Sequence, residues 1–136
     1  MYLLNIHATE VFQALSDPLR LRIIRMLAHP DIYESCSCDL GDALQEPEYA
    51  ISRQLKVLRA AGLLTAEKHG RWIFHRLRKD EPSLELLISL ILSLPDASGE
   101  FKEDHRKISK LVRARSGSRC EGRADSMSRS RKEKRG

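Results

Sequence analysis

The chain is short of the features that mark membrane and secreted proteins. Its 136 residues include only three cysteines, too few for a disulfide scaffold and with one left unpaired. The longest strongly apolar run, Leu84 to Leu94, has 11 residues, whereas about 20 are needed to span a bilayer. The first residues show no basic segment leading into an apolar one, so no secretory signal is indicated. We therefore expect a cytoplasmic protein with reduced thiols and no membrane partner.

Sequence patterns of catalysis are also absent. The chain has no CxxC pair, no glycine-rich loop to cradle a phosphate, and no Cys/His/Asp arrangement with readable spacing. A thiol-dependent reductase or transferase therefore has little support, and we expect that the protein is not an enzyme. The length suits a single small domain.

Basic residues are concentrated in two segments. Glu48 to Lys79 has eight Lys and Arg against two acidic residues, and Arg113 to Gly136 has nine against three, within a chain of net charge +5. A localised positive field of this kind attracts polyanions, above all nucleic acid, although a basic solvated surface would give the same counts. Residues 116–136 are rich in Ser, Gly and Arg and nearly free of apolar side chains, which predicts a disordered basic tail.

Apolar spacing and turn residues predict a mainly α fold with one small β-hairpin. The predicted helices cover Ala8–Leu15, Leu19–Ala28, Cys38–Leu44, Glu48–Ala61, Pro82–Leu94 and Glu100–Val112, and the hairpin joins 64–68 to 71–77. A helix-turn-helix followed by a basic hairpin is the outline of a winged helix. We expect a winged-helix DNA-binding and dimerisation domain over 1–95, a possible extra helix within 96–115, and the tail over 116–136.

The predicted helix from Pro82 to Leu94 is apolar on most of its faces. Such a helix exposes an apolar patch unless it is buried in the core or against a second copy. We favour a homodimer, with burial as a third layer of a monomer core as the alternative. The predicted dimerisation residues form one stripe: Leu84, Leu87, Ile88, Ile91 and Leu92.

Three sequence blocks together resemble the ArsR/SmtB family of metalloregulatory repressors. They are LSDPLRLRIIRML, ISRQLKVLRAAGLL and KHGRWIFHRL, and the resemblance extends from about Ala8 to Leu94. It implies a homodimeric winged-helix repressor that binds double-stranded operator DNA until a metal or metalloid ion releases it. The CSCDL segment is most similar to the arsenite- and antimonite-responsive branch, which carries ligand cysteines at the start of the first helix of the helix-turn-helix.

The resemblance also implies which residues of the second helix of the helix-turn-helix face DNA. They are Glu48, Tyr49, Ser52 and Arg53, with Gln54 beside them. Arg53 can fork onto guanine and Gln54 can pair with adenine, although an exposed polar face is the alternative. Glu48 departs from the neutral polar residue usual in the family, which leaves its role open.

Further contacts would position the protein without reading sequence. Lys56 lies further along the same helix, where it would meet phosphates or solvent. Lys68, His69 and Arg71 of the wing would approach phosphates or the minor groove.

The resemblance makes Cys36 and Cys38 the predicted ligands of As(III) or Sb(III). Two residues that are two apart point in different directions on a regular helix, so a shared ion requires the irregular geometry of a helix start. A helix N-terminus favours thiolate, and thiolates suit soft ions. The alternative is a pair of buried structural thiols.

Two departures from the family pattern bear on the ligand set. Gly41 stands where the arsenic branch often has a third cysteine, so a three-thiolate site is not complete within the motif. Cys120 of the same or the other subunit is the candidate third ligand, although we favour a spectator thiol there. The resemblance also implies an alternative metal site, built of Asp and His in the dimer-interface helix, but residues 82–94 contain neither residue type. No N-terminal cysteine pair supports a cadmium or lead site. A Cd(II)/Pb(II) sensor and a thiol-redox sensor remain alternatives, although a CxC disulfide is expected to be strained and a poor fit.

Overall fold

The computed structural model describes residues 7–114, so the predicted tail over 116–136 lies outside the described residues. The helices are α1 Ala8–Leu15, α2 Pro18–Ala28, α3 Ser37–Leu44, α4 Glu48–Ala60, α5 Pro82–Ser93 and α6 Glu100–Ala114. The strands are β1 Glu34–Cys36, β2 Leu64–His69 and β3 Trp72–Leu77. The predicted helices and the hairpin are confirmed to within two residues at each end, and the described part has a winged helix-turn-helix fold.

Local signals account for where the central helices begin and end. The Asp17 side chain accepts a hydrogen bond of 3.0 Å from the backbone N–H of Arg20, and Pro18 fills the first position of α2. After α4 the chain turns at Gly62, whose φ of 83° is readily adopted only by glycine. The turn before α4 uses Gln45 in a left-handed conformation. These turns set α3 and α4 in the helix-turn-helix arrangement.

The sheet has three antiparallel strands in the order β1-β3-β2. The prediction of a two-stranded hairpin was therefore incomplete, because β1 pairs with β3 and places Cys36 opposite Phe74. A strand of three residues has too few positions to show an alternating pattern, and its partner lies about forty residues further along the chain. Pairing with β3 fixes the segment that carries the first thiol.

The core is built around α2. Ile23 and Ile24 are fully buried there, and Ile51 of α4 and Ile108 of α6 are also fully buried. The helix predicted at 100–112 thus packs into the same core as the winged helix. Arg22 of α2 binds the buried carboxylate of Asp104 on α6 through two hydrogen bonds of 2.9 Å. A bidentate Arg–carboxylate pair fixes orientation as well as distance, so it locks α6 onto α2.

Helix α5 buries the stripe that was predicted to form the dimer interface. Leu84 and Ile91 are each 3% exposed and contact the core of their own chain. The other three predicted residues, Leu87, Ile88 and Leu92, are partly buried against that core. The strongly exposed apolar side chains of α5, Leu86 and Leu90, lie on the neighbouring stripe, and the predicted dimer interface stays a prediction. Within residues 7–114, no helix has the length and apolarity that a bilayer crossing requires.

Candidate nucleic-acid interface and thiol site

The exposed face of α4 carries most of the predicted DNA-contacting residues. Ile51, Leu55 and Leu58 face the core, which turns the opposite side of the helix to solvent. The exposed predicted residues on that side are Glu48, Tyr49, Ser52, Arg53 and Lys56. These side chains can reach a groove of DNA without any rearrangement of the core.

Gln54 is placed differently from the other predicted residues of α4. Its side-chain carbonyl accepts a hydrogen bond of 2.8 Å from Arg20, whose Nε donates to the carbonyl of Ala14 at 2.6 Å. Pairing with adenine uses both the carbonyl and the amino group of a glutamine. Gln54 therefore joins α4 to α2 here, and reading a base would require this bond to break.

The tip of the wing is exposed and basic. Gly70 turns the hairpin with a φ of 64°, and Lys68, His69 and Arg71 surround it as predicted, all exposed. The His69 ring stands edge-on to Phe74, with ring centroids 5.3 Å apart. Glu67 lies 3.5 Å from Arg76, which removes one cation from the local field but leaves the tip positive. The arrangement suits contacts with phosphates.

The two predicted ligand thiols lie where a strand changes into a helix. Cys36 is the last residue of β1 and the N-cap of α3, with extended backbone angles, and Cys38 is the second residue of α3. Their Cα atoms are 5.4 Å apart, and both side chains are buried. The extended backbone at Cys36 turns its side chain toward Cys38, which a continuous helix would not do.

The structure joins the Cys36 and Cys38 sulfurs in a disulfide. The Cα separation of 5.4 Å falls within the usual range of about 4.4–6.8 Å for disulfides, so the backbone lets the two sulfurs meet, and the strain expected of a CxC disulfide stays a prediction. The site can therefore hold the two sulfurs in contact, and in the reduced protein it offers two thiols side by side.

The Asp39 carboxylate lies beside the two thiols, and together they form a group of three potential ligands. Asp39 is 2% exposed, and one of its oxygens lies within 4.8 Å of the sulfurs of Cys36 and Cys38. Sequence reasoning missed Asp39, although its place directly after Cys38 was a usable signal. The other predicted sulfur donor, Cys120, lies outside residues 7–114.

The backbone leaves no room for a side chain at Gly41. A Cβ atom at position 41 would stand 2.9 Å from the carbonyl oxygen of Glu46, in the turn before α4. That oxygen belongs to backbone, which cannot rotate away as the end of a side chain can. The close approach of α3 to this turn thus excludes a thiol at position 41 unless the turn moves.

A hydrogen bond connects the thiol segment directly to α4. The Ser37 hydroxyl, between the two cysteines, donates to a carboxylate oxygen of Glu48 at 2.9 Å. Glu48 is the first residue of α4. Its carboxylate departs from the residue type that the family resemblance implies at this position, and it has a hydrogen-bond partner within the protein. Sequence reasoning missed this contact because the direction of an exposed hydroxyl has no sequence signature.

Behind α4, one histidine is buried against an arginine. His75 of β3 is 4% exposed; its Nε2 contacts the guanidinium of Arg59, while its Nδ1 has no partner within the described residues. Burial, together with the Arg59 charge, lowers the pKa of His75 from 6.5 to about 4. A neutral imidazole accepts from Arg59, so this arginine is directed to the sheet.

An exposed apolar face lies between α1 and α5. Phe12 is 62% exposed, and Leu86 and Leu90 are 74% and 56% exposed. These residues border a shallow groove that also includes Val11 and Leu87. A continuous face of this kind is typical of a protein–protein contact.

Comparison with known proteins shows similarity to bacterial and archaeal transcriptional regulators. The family described as "Bacterial regulatory protein, arsR family" matches residues 17–66, which include α2, α3, α4 and the start of β2. An uncharacterized HTH-type transcriptional regulator of Methanocaldococcus jannaschii is 38% identical over 73 residues, 54% of this chain and 80% of that protein.

Two further relatives carry names that mention metalloids. The arsenical resistance operon repressor of Escherichia coli is 39% identical over 74 residues, 54% of this chain and 62% of that protein, a little under two thirds of its length. The crystal structure of the AntR antimony-specific transcriptional repressor is similar with a TM-score of 0.51 and 28% identity, over 60% of this chain and 70% of that chain. The chain belongs to the ArsR family of bacterial transcriptional regulators.

Proposed function

We propose that this protein is a metalloid-responsive repressor, which binds operator DNA as a dimer and leaves it when As(III) or Sb(III) binds its cysteine thiolates. One observation carries the proposal: Cys36 and Cys38 lie side by side, and Ser37 between them is hydrogen-bonded to the first residue of α4. An ion bound to the two sulfurs would thus be connected to the proposed DNA-binding helix through the single hydrogen bond between Ser37 and Glu48. The choice of ion is supported by the names of two similar proteins, the arsenical resistance operon repressor of Escherichia coli and the AntR antimony-specific repressor.

In the DNA-bound state, α4 would lie in the major groove with its N-terminal half against the bases. Arg53 would fork onto guanine, and Tyr49 and Ser52 would contact bases or phosphates beside it. Lys56 and the wing residues Lys68, His69 and Arg71 would hold phosphates and set the register. The eight basic residues from Glu48 to Lys79 supply the attraction that is independent of sequence.

The donor set of the thiol site suits a soft ion. Two thiolates from Cys36 and Cys38 would bind the ion, with the buried carboxylate of Asp39 close by. Cys120 of the same or the partner subunit would supply a third sulfur. With two sulfurs only, a monomethylated trivalent arsenical would fit as well as arsenite, and Cd(II) or Pb(II) would be weaker alternatives because sulfur donors are few.

Dimerisation would use the exposed face formed by Phe12, Leu86 and Leu90. Two copies of α4 would then be presented to two half-sites one turn of DNA apart. Three residues of the predicted stripe, Leu87, Ile88 and Leu92, are only partly buried in one chain, so a second copy would bury them further.

A second candidate function is a repressor controlled by thiol oxidation. The observation that favours it is the disulfide between Cys36 and Cys38. Oxidation by a disulfide or peroxide would remove two electrons and two protons from the thiols and form the S–S bond. The disulfide form has no free sulfur for a metalloid, so the two candidate signals would exclude each other at this site.

Fluorescence anisotropy of the protein on DNA from upstream of its own gene tests both candidates. We expect As(III) to release the wild-type protein reduced with a phosphine, which, unlike a dithiol, does not sequester arsenite. Cys36→Ser and Cys38→Ser should bind DNA as the wild type does and remain bound when As(III) is added. Zn(II) is the comparison ion, while Sb(III) and Cd(II) rank the soft ions.

Cys120→Ser decides the third ligand, because a weaker response to As(III) in this variant would place Cys120 in the site. Release by an oxidant but not by As(III) would support the second candidate. Binding to DNA that no ion or oxidant affects would contradict both.

A further inference from the structure

A second cluster of metal-ligating side chains lies apart from the thiols. His29, Asp31 and His105 each place one ligand atom within 4.8 Å of those of the other two. The Nε2 atom of His105 is 3.1 Å and 3.2 Å from the two carboxylate oxygens of Asp31. The rings of His29 and His105 are stacked with centroids 3.8 Å apart and planes inclined by 24°. Three donors from two distant parts of the chain, residues 29–31 and His105, thus lie close together.

The fold brings these donors together from two elements that meet at the end of α2. His29 is the C-cap of α2, Asp31 lies in the loop that leads to β1, and His105 is on α6. Ser109, one turn after His105, contacts Asp31 at 3.4 Å and His105 Nε2 at 3.2 Å through its hydroxyl. Ser109 is itself buried, and its hydroxyl holds the carboxylate and the imidazole close together in the metal-free protein; an ion on His105 Nε2 would replace this contact.

The donor chemistry differs from that of the thiol pair. Two imidazoles and one carboxylate are donors typical of Zn(II) and similar borderline divalent ions. We propose that His29, Asp31 and His105 form a binding site for a divalent transition-metal ion of the Zn(II) class, with water in the remaining position. Tetrahedral coordination of Zn(II) places ligand atoms about 3.3–3.5 Å apart, so the side chains would rotate and the stacked rings of His29 and His105 would tilt apart to close the cluster around the ion.

The site is open to ions from solvent. The Asp31 side chain is 57% exposed and that of His105 is 31% exposed, beside a hollow that includes Ile32 and Val112. A bound ion would connect α6 to the loop between α2 and β1, and β1 ends at Cys36. The inference does not depend on the proposed repressor function, because it concerns binding of the ion and is tested without DNA.

Binding of Zn(II) to the untagged, full-length chain by titration calorimetry tests the site. The background is the Cys36→Ser/Cys38→Ser/Cys120→Ser variant, which removes every thiol that would compete for the ion. We expect one Zn(II) per chain and a raised unfolding temperature, with affinity reduced on the order of tenfold or more by His29→Ala or His105→Ala. His69→Ala, which removes an exposed histidine that has an acidic neighbour, is the matched control and should bind Zn(II) as the background does.

Two further measurements separate loss of a ligand from loss of the fold. Asp31→Asn preserves shape and one oxygen while removing the charge, and it should weaken Zn(II) binding with unchanged circular dichroism. Co(II), used as a spectroscopic probe, should show d–d bands without a sulfur-to-metal charge-transfer band. The proposal is overturned if the thiol-free chain binds no Zn(II), or if all variants at these three positions bind it as tightly as the background.

Discussion

Ser37 is the residue through which the thiol pair contacts α4. Its hydroxyl donates to Glu48 at 2.9 Å, and the flanking cysteines are both buried while Glu48 is exposed. A ligand on the two sulfurs would tighten or rotate the segment between them, and the hydroxyl would move with it. Because Glu48 opens α4, such a movement alters the part of the helix that would meet the bases. The contact therefore joins the proposed sensor to the proposed reader.

Replacing Ser37 by alanine should weaken the response to metalloid without removing metalloid binding. A hydrogen bond to a carboxylate at an exposed site contributes about 1 kcal/mol, so the ratio of DNA affinities without and with As(III) should fall about fivefold. The measurement is anisotropy with and without As(III), beside a direct titration of As(III) binding. Ser37→Thr keeps the hydroxyl and should retain the wild-type ratio. An unchanged ratio in Ser37→Ala would show that the signal takes another route.

At this scale the sequence predicts which residue types form the site but not their partners. Cys36 and Cys38 can be singled out because the segment that holds them resembles the arsenite- and antimonite-responsive branch of the family. The hydrogen bond of Gln54 to Arg20 joins residues 34 positions apart, and nothing in the local pattern of α4 indicates it. The same holds for Asp104 and Arg22. Partners of polar side chains are decided by tertiary packing, which a local pattern does not encode.

At the scale of elements, long periodic segments are predictable and short or polar ones are not. Helices α2 and α4 show their apolar stripes and caps in the sequence, so their bounds follow closely. Strand β1 has three residues and becomes a strand only because β3 offers it a free edge. In α5 apolar residues lie on most faces of the helix, so the pattern cannot say which stripe faces the core. The structure selects Leu84 and Ile91 and leaves the neighbouring stripe exposed.

This choice of stripe gives a prediction about oligomeric state. The double variant Leu86→Glu/Leu90→Glu should fold but sediment as a monomer, because both side chains are exposed in one chain and would be covered in a dimer. Its DNA affinity should fall by about tenfold or more, since one half-site contact is lost. Ile73→Glu charges another exposed apolar residue, on β3, and should leave the sedimentation unchanged. A double variant that remains dimeric would place the interface elsewhere.

At the scale of the whole molecule, the described residues carry the proposed DNA-contacting surface, the thiol pair and the histidine and carboxylate cluster on different elements. The basic wing and α4 form one side, and the thiol pair is buried where β1 meets α3. The histidine and carboxylate cluster lies at the opposite end of the loop that leads into β1. Composition indicates the basic side directly, because charge is visible in sequence. The cluster of His29, Asp31 and His105 is not visible, since it forms only when α6 packs onto α2.

The buried histidine between α4 and the sheet makes the stability of the whole fold depend on pH. The folded protein keeps His75 neutral down to about pH 4, whereas the unfolded chain takes up that proton near pH 6.5. Between these values the unfolded state binds more protons, so the free energy of unfolding decreases as the pH falls. The contribution is fully present above pH 6.5, and about 2 kcal/mol of it should be lost between pH 7 and pH 4.5.

Urea unfolding of the reduced protein at the two pH values measures the loss. His75→Gln retains an acceptor for Arg59 and cannot be protonated, so its stability should fall by about 2 kcal/mol less over the same interval. Equal losses in both proteins would show that protonation of His75 does not limit stability, and that Arg59 moves away from the ring as it becomes charged.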